Sequence, residues 1–134
     1  MKKILIIDDE PDVVLYLKTI LEDHNYETCV AHDADTGMNM ALACSPDLIF
    51  LDIVMPKKSG ASFYKEVKEH AVLKDIPVAV ISGVGNAYGL KRSAFTDMVK
   101  DAHVEAPQGF FEKPLDVAAL TAFLDEVLNK KREV

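Results

Sequence analysis

The sequence predicts an α/β fold, (βα)₅, with a parallel sheet covered by helices on both faces. Three observations predict it. Short apolar segments alternate with helix-period segments along most of the chain. Those apolar segments are continuous rather than alternating, as in strands buried on both faces. Two of them run straight into aspartates: Ile4 to Ile7 into Asp8 and Asp9, and Leu48 to Leu51 into Asp52. In an open parallel sheet, ligands sit at the carboxyl ends of the strands.

The elements follow in order. KILII (3–7) is short, β-branched and apolar, and reads as a buried strand. A helix starts at about Pro11, with proline at its first position and Asp12 in its first turn; Val14, Leu17 and Leu21 recur at helical spacing. YETCVA, Tyr26 to Ala31, is the second strand. Ala34 to Cys44 is the second helix, with Met38, Ala41 and Leu42 on one face, and Ser45-Pro46 ends it. Asp47 to Leu51 is the third strand, Pro56 and Gly60 bracket a loop, and Ala61 to His70 is the third helix. Ile76 to Ile81 is the fourth strand, with Pro77 near its start, where a missing N–H is tolerated. Gly83, Gly85 and Gly89 mark a flexible loop before a fourth helix over residues 90–102. A turn at Ala106-Pro107-Gln108-Gly109 leads to a short strand around Phe110-Phe111. Asp116 caps a last helix whose Leu120, Phe123, Leu124, Val127 and Leu128 form an apolar stripe.

At 134 residues, 49% of them apolar, the chain has the size and composition of one domain with a real core. A net charge of -7 and a pI near 5.0 argue against a nucleic-acid-binding surface, which needs a basic stripe. Cys29 and Cys44 form no CxxC motif and read as ordinary reduced thiols. No apolar run approaches membrane-spanning length, so the expected setting is soluble and cytoplasmic.

Asp8 and Asp9 end the first strand, Asp52 the third, Ser82 the fourth and Lys113 the fifth. Taken singly, each has a plainer reading as a helix cap, a turn residue or a surface lysine. Jointly, they place three carboxylates on one rim if the first and third strands are neighbours. Bare carboxylates would repel and raise one another's pKa values; a divalent cation removes the conflict. Oxygen ligands without His or Cys point to Mg²⁺, with Mn²⁺ and Ca²⁺ as alternatives. A lysine and a hydroxyl beside them suit phosphoryl chemistry with a carboxylate nucleophile.

The set ILIIDDEPDV (4–13), DLIFLDIVMPKKSG (47–60), VAVISG (78–83) and GFFEKP (109–114) resembles the receiver domain of two-component response regulators, over about residues 2–128. The resemblance implies a flavodoxin-like three-layer sandwich with strand order 2-1-3-4-5. It implies Asp52 as phospho-acceptor, Asp9 and Asp52 as direct Mg²⁺ ligands, Asp8 acting through water, and the Val54 carbonyl as a third protein ligand. It further implies Ser82 as switch hydroxyl, Phe110 as switch aromatic, Lys113 as phosphoryl-binding lysine and a cis Lys113-Pro114 bond. The implied partners are a sensor histidine kinase or phosphotransfer protein and a downstream protein target. No nucleic acid or membrane is implied, and the chain is expected as a monomer or weak dimer. Apart from self-phosphorylation and slow autodephosphorylation, it is expected to be no enzyme.

Two features depart from the family pattern. Ser82 to Lys113 spans 113 − 82 = 31 positions, several more than usual, and the added stretch carries Lys91, Arg92 and Lys100, a solvated helix face or a docking patch. Phe110 lacks the hydroxyl of the frequent tyrosine. Residues 1–134 read as a single receiver domain, with 129–134 as a tail or the start of a linker. Two other functions compete. One is a Mg²⁺-dependent aspartyl-nucleophile phosphatase or phosphotransferase, disfavoured because the acids at Asp8-Asp9 are adjacent rather than two apart. The other is an interaction module that is never phosphorylated, disfavoured by the complete set of acids, hydroxyl and lysine.

Overall fold

A computed structural model describes residues 1–53, 60–82 and 92–129. Its elements are β1 (Lys3–Ile7), α1 (Pro11–Asp23), β2 (Glu27–Ala31), α2 (Ala34–Cys44), β3 (Leu48–Asp52), α3 (Gly60–Glu69), β4 (Val78–Ser82), α4 (Arg92–Ala102), β5 (Gly109–Glu112) and α5 (Val117–Leu128). The strands form one parallel sheet in the order β2-β1-β3-β4-β5. The alternation of segments predicts this parallel α/β sheet, and the family resemblance implies its flavodoxin-like strand order. Val54, Pro56, the glycines at 83, 85 and 89, Lys91 and residues 130–134 lie outside the described residues.

The continuous apolar runs have their physical reason in two cores. Side chains along a strand alternate between faces. Ile4, Ile6, Leu48, Phe50, Ala79 and Ile81 therefore face one way, against Leu17, Leu21, Leu120 and Leu124 of α1 and α5. Leu5, Ile7, Ile49, Leu51, Val78 and Val80 face the other, against Ala41, Phe63, Val67 and Phe95 of α2, α3 and α4. Both faces are dry, so no polar alternation appears in the sequence.

Element ends shift by a residue or two from the expected ones, for local reasons. Tyr26 belongs to the turn before β2: its N–H donates to the Leu21 carbonyl at 3.0 Å. Asp47 precedes β3, where its Oδ2 accepts the Lys3 N–H at 2.8 Å. Asp52, expected just past the strand, is its last residue, in register with Ile81. Ile76 closes a turn onto the Leu73 carbonyl at 3.0 Å, so β4 begins two positions later. Asp33 and Asp116 cap α2 and α5 through Thr36 and Ala119 N–H groups. Ser45 takes a left-handed conformation, φ 49°, that ends α2.

Candidate functional site

The strand order sets the site. β1 and β3 are adjacent, with Ile7 opposite Leu51, so Asp8 and Asp52 emerge side by side at the carboxyl rim. Both are buried, at 0% and 1% exposure. The Asp8 N–H extends the ladder onto β2 by donating to Ala31 O at 3.1 Å. On the far side, Ser82 pairs with Glu112, and the Lys113 N–H donates to Ser82 O at 2.9 Å. This continuation of the ladder fixes the root of the Lys113 side chain, and the Lys113-Pro114 peptide is cis.

Lys113 reaches across the rim. Its Nζ lies 3.3 Å from Asp52 Oδ2, 3.3 Å from Asp8 Oδ2 and 2.5 Å from Glu10 Oε1. Burial works against the charged lysine, but the hydrogen bond to Glu10 and the charges of Asp52 and Asp8 outweigh it and hold the ammonium above its ordinary value. Burial likewise pushes the Asp8 carboxyl above the ordinary carboxylate value, against the Glu10 N–H and Lys113, which favour its charge. Asp8 Oδ1 accepts the Glu10 N–H at 2.9 Å, whereas Oδ2 is buried, with the Lys113 ammonium 3.3 Å away as its charged partner.

The balance of charge at this rim bears on a cation. Asp8, Glu10 and Asp52 each offer a carboxylate oxygen, and the three lie within 4.8 Å of one another. Three carboxylates share one ammonium, and buried carboxylates with so little compensating positive charge are costly. The donors are all hard oxygens, the set that suits Mg²⁺. The residues present therefore fit the group that the acid pattern implies.

The structure brings together Asp8, Asp52 and Lys113 as expected. Asp9 is exposed and outside the three-carboxylate group, whose third member is Glu10. Sequence reasoning missed Glu10. The signal was its place in the DDE run beside two site acids, masked by its equal suitability as a helix-start residue. Glu10 does occupy the N-cap of α1, but its side chain makes no capping hydrogen bond. Ser82 is half-buried at the end of β4. Phe110 is half-buried on β5, with its ring edge-to-face against Phe95 at 5.7 Å between centroids. The Val54 carbonyl lies outside the described residues.

Gly60 supports the β3 end. A Cβ there would stand 2.3 Å from Ile53 Cα and 2.6 Å from the Asp52 carbonyl oxygen. The start of α3 thus presses on the backbone that carries Asp52, and only glycine permits it.

No described helix is long and apolar enough to cross a membrane. A model of the response regulator receiver domain family matches residues 4–125. The chain is 35% identical to the nitrogen assimilation regulatory protein NtrX of Azorhizobium caulinodans, over 98% of this chain and 28% of that protein. It is 32% identical to the phosphate regulon transcriptional regulatory protein PhoB of Escherichia coli, over 96% of this chain and 52% of that protein. The chain thus spans about half the length, or less, of these curated relatives. Among solved structures, NtrX of Brucella abortus aligns with TM-score 0.78 and 29% identity, over 96% of this chain and 27% of that one. The chemotaxis protein CheY4 of Vibrio cholerae shares the fold, with TM-score 0.79 and 24% identity, over 96% and 99% of the two chains. With its five parallel strands and its acidic rim, the chain belongs to the receiver domains of two-component response regulators.

Proposed function

We propose that this receiver accepts a phosphoryl group on Asp52 from the phosphohistidine of a sensor histidine kinase or phosphotransfer protein. The observation that carries the proposal is the convergence of buried Asp52, buried Asp8 and the Lys113 ammonium at one rim, with Lys113 Nζ 3.3 Å from each carboxylate.

Asp52 is the nucleophile. Its carboxylate oxygen bonds to phosphorus as the P–N bond to the donor imidazole breaks, and the imidazole takes up a proton. Lys113 neutralises phosphoryl oxygens, and it is rooted for that by the main-chain bond to Ser82. The Ser82 hydroxyl, on the neighbouring strand end, donates to a phosphoryl oxygen. As the family pattern implies, Asp9, Asp52 and the Val54 carbonyl would hold Mg²⁺ directly, with Asp8 acting through water. When bound, Mg²⁺ supplies the positive charge that lets an anionic phosphoryl group approach carboxylates.

The acyl phosphate leaves about two negative charges where one stood. Ser82 moves toward them and Phe110 follows, changing the surface of α4, β5 and α5 that a downstream protein reads. The chain acts as one receiver unit, with its core over residues 2–128, in the cytoplasm and without binding nucleic acid itself. It is a monomer or weak dimer.

Incubation with acetyl phosphate and Mg²⁺ tests this. Intact-protein mass should show one added phosphoryl group on the wild type and none on Asp52→Ala or with the metal chelated. Equal uptake by Asp52→Ala overturns the assignment of the acceptor.

A further inference from the structure

Among the described residues, the Lys113 ammonium faces three carboxylates, at unequal distances. Its shortest, 2.5 Å, is to Glu10, whose side chain is 56% exposed. The two longer ones, 3.3 Å each, are to the buried Asp8 and Asp52. An ammonium has three N–H donors. A phosphoryl oxygen arriving at Asp52 needs one of them, and one carboxylate must give way.

Asp8 and Asp52 are fixed. Each extends from a central strand, and Asp8 Oδ1 is tied to the Glu10 N–H at 2.9 Å. Glu10 differs. Its main chain is held by that bond, while its side chain caps no helix N–H and stands in solvent. Releasing Lys113 exposes the Glu10 carboxylate to water, which solvates it at little cost. The contact that is tightest at rest is therefore the one with the replaceable partner.

We propose that Glu10 is a positioning residue acting through Lys113: it holds the ammonium in the unphosphorylated state and slows phosphorylation by competing with the incoming phosphoryl group for it. The inference rests on Asp52 being the acceptor. Two effects of Glu10 add. The Glu10–Lys113 pair must open before Lys113 can turn to phosphate, and the Glu10 carboxylate repels an anionic donor on its approach. Both are electrostatic and lie at the surface, so salt weakens both. A merely structural role for Glu10 has no such salt dependence.

The experiment compares wild type, Glu10→Gln and Asp52→Ala for the initial rate of phosphorylation by acetyl phosphate with Mg²⁺, at low and high ionic strength. Magnesium dissociation constants are measured by calorimetry without donor. Glu10→Gln should be phosphorylated about two- to fivefold faster at low salt. The ratio should fall toward one at high salt. Equal or slower phosphorylation of Glu10→Gln, while wild type is labelled and Asp52→Ala is not, overturns the role of Glu10 and leaves the acceptor standing. A loss of magnesium affinity of about tenfold or more makes Glu10 a metal ligand instead, and also overturns it. Labelling of Asp52→Ala at the wild-type rate overturns both.

Discussion

Lys113 Nζ stands 3.3 Å from Asp52 Oδ2, although 61 positions separate the two residues in the chain. The gap is closed by the sheet: β3, β4 and β5 are neighbours, and both residues leave the same rim. Asp8 completes the triangle from β1, on the other side of β3.

In the proposed function, Lys113 reads the phosphoryl group and is no metal ligand. Lys113→Ala should still bind Mg²⁺, and more tightly than wild type, since an ammonium no longer competes for the Asp8 and Asp52 carboxylates. Its conformational response to a beryllofluoride phosphate mimic should be largely lost. Metal titration by calorimetry, with backbone amide spectra before and after the mimic, checks both halves. An unchanged response to the mimic contradicts the role of Lys113.

Gly60 is the second test, because it joins stability to the site. A methyl at position 60 meets Ile53 Cα and the Asp52 carbonyl, both backbone atoms that cannot rotate away. Gly60→Ala should cost about 3 kcal/mol and lower the melting temperature on the order of 10 °C. Thermal unfolding by circular dichroism measures this. Any shift of the β3 end also misplaces Asp52, so phosphorylation of the folded variant should slow. A variant as stable as wild type contradicts the close approach.

Cys29 offers a test remote from the site. It is half-buried on β2, and burial, with Cys44 beside it, pushes its thiol from 9.0 up to about 11. A raised thiol stays protonated at pH 8, and only the thiolate reacts. Alkylation of Cys29 at pH 8 should therefore be about a hundredfold slower than that of an unperturbed cysteine peptide. It should still be accelerating with pH above 9, where the peptide levels off. Site-resolved mass spectrometry over time measures it, and a rate equal to the peptide's contradicts the burial of the thiol.

Much of this was legible in the residues, and the gaps have physical causes. Ile4 to Ile7 and Leu48 to Leu51 announce buried strands because parallel strands lack polar alternation, and their terminal acids then mark the rim. Asp116 caps α5 by a local bond three residues long, and such bonds are visible in sequence. Glu10 was not legible, since its partner Lys113 lies 103 positions away and the local pattern fits a helix start equally well. Tyr26 looked like strand, being aromatic and apolar. Its backbone instead closes the turn after α1, and its hydroxyl accepts a hydrogen bond from Asn129 Nδ2 at 2.6 Å, a contact between distant residues. Asp9 and Glu10 are neighbours in an acidic run, and which of them turns toward Asp52 depends on how the chain enters α1.

The most direct measurement locates the phosphoryl group itself. After reaction with acetyl phosphate and Mg²⁺, borohydride reduces an acyl phosphate to an alcohol, converting the modified aspartate to homoserine, which peptide mass mapping identifies. Homoserine at position 52, and at neither 8 nor 9, is the result expected. Reduction at Asp8 or Asp9, or no Mg²⁺-dependent reduction at any aspartate, contradicts a receiver that takes phosphate on Asp52.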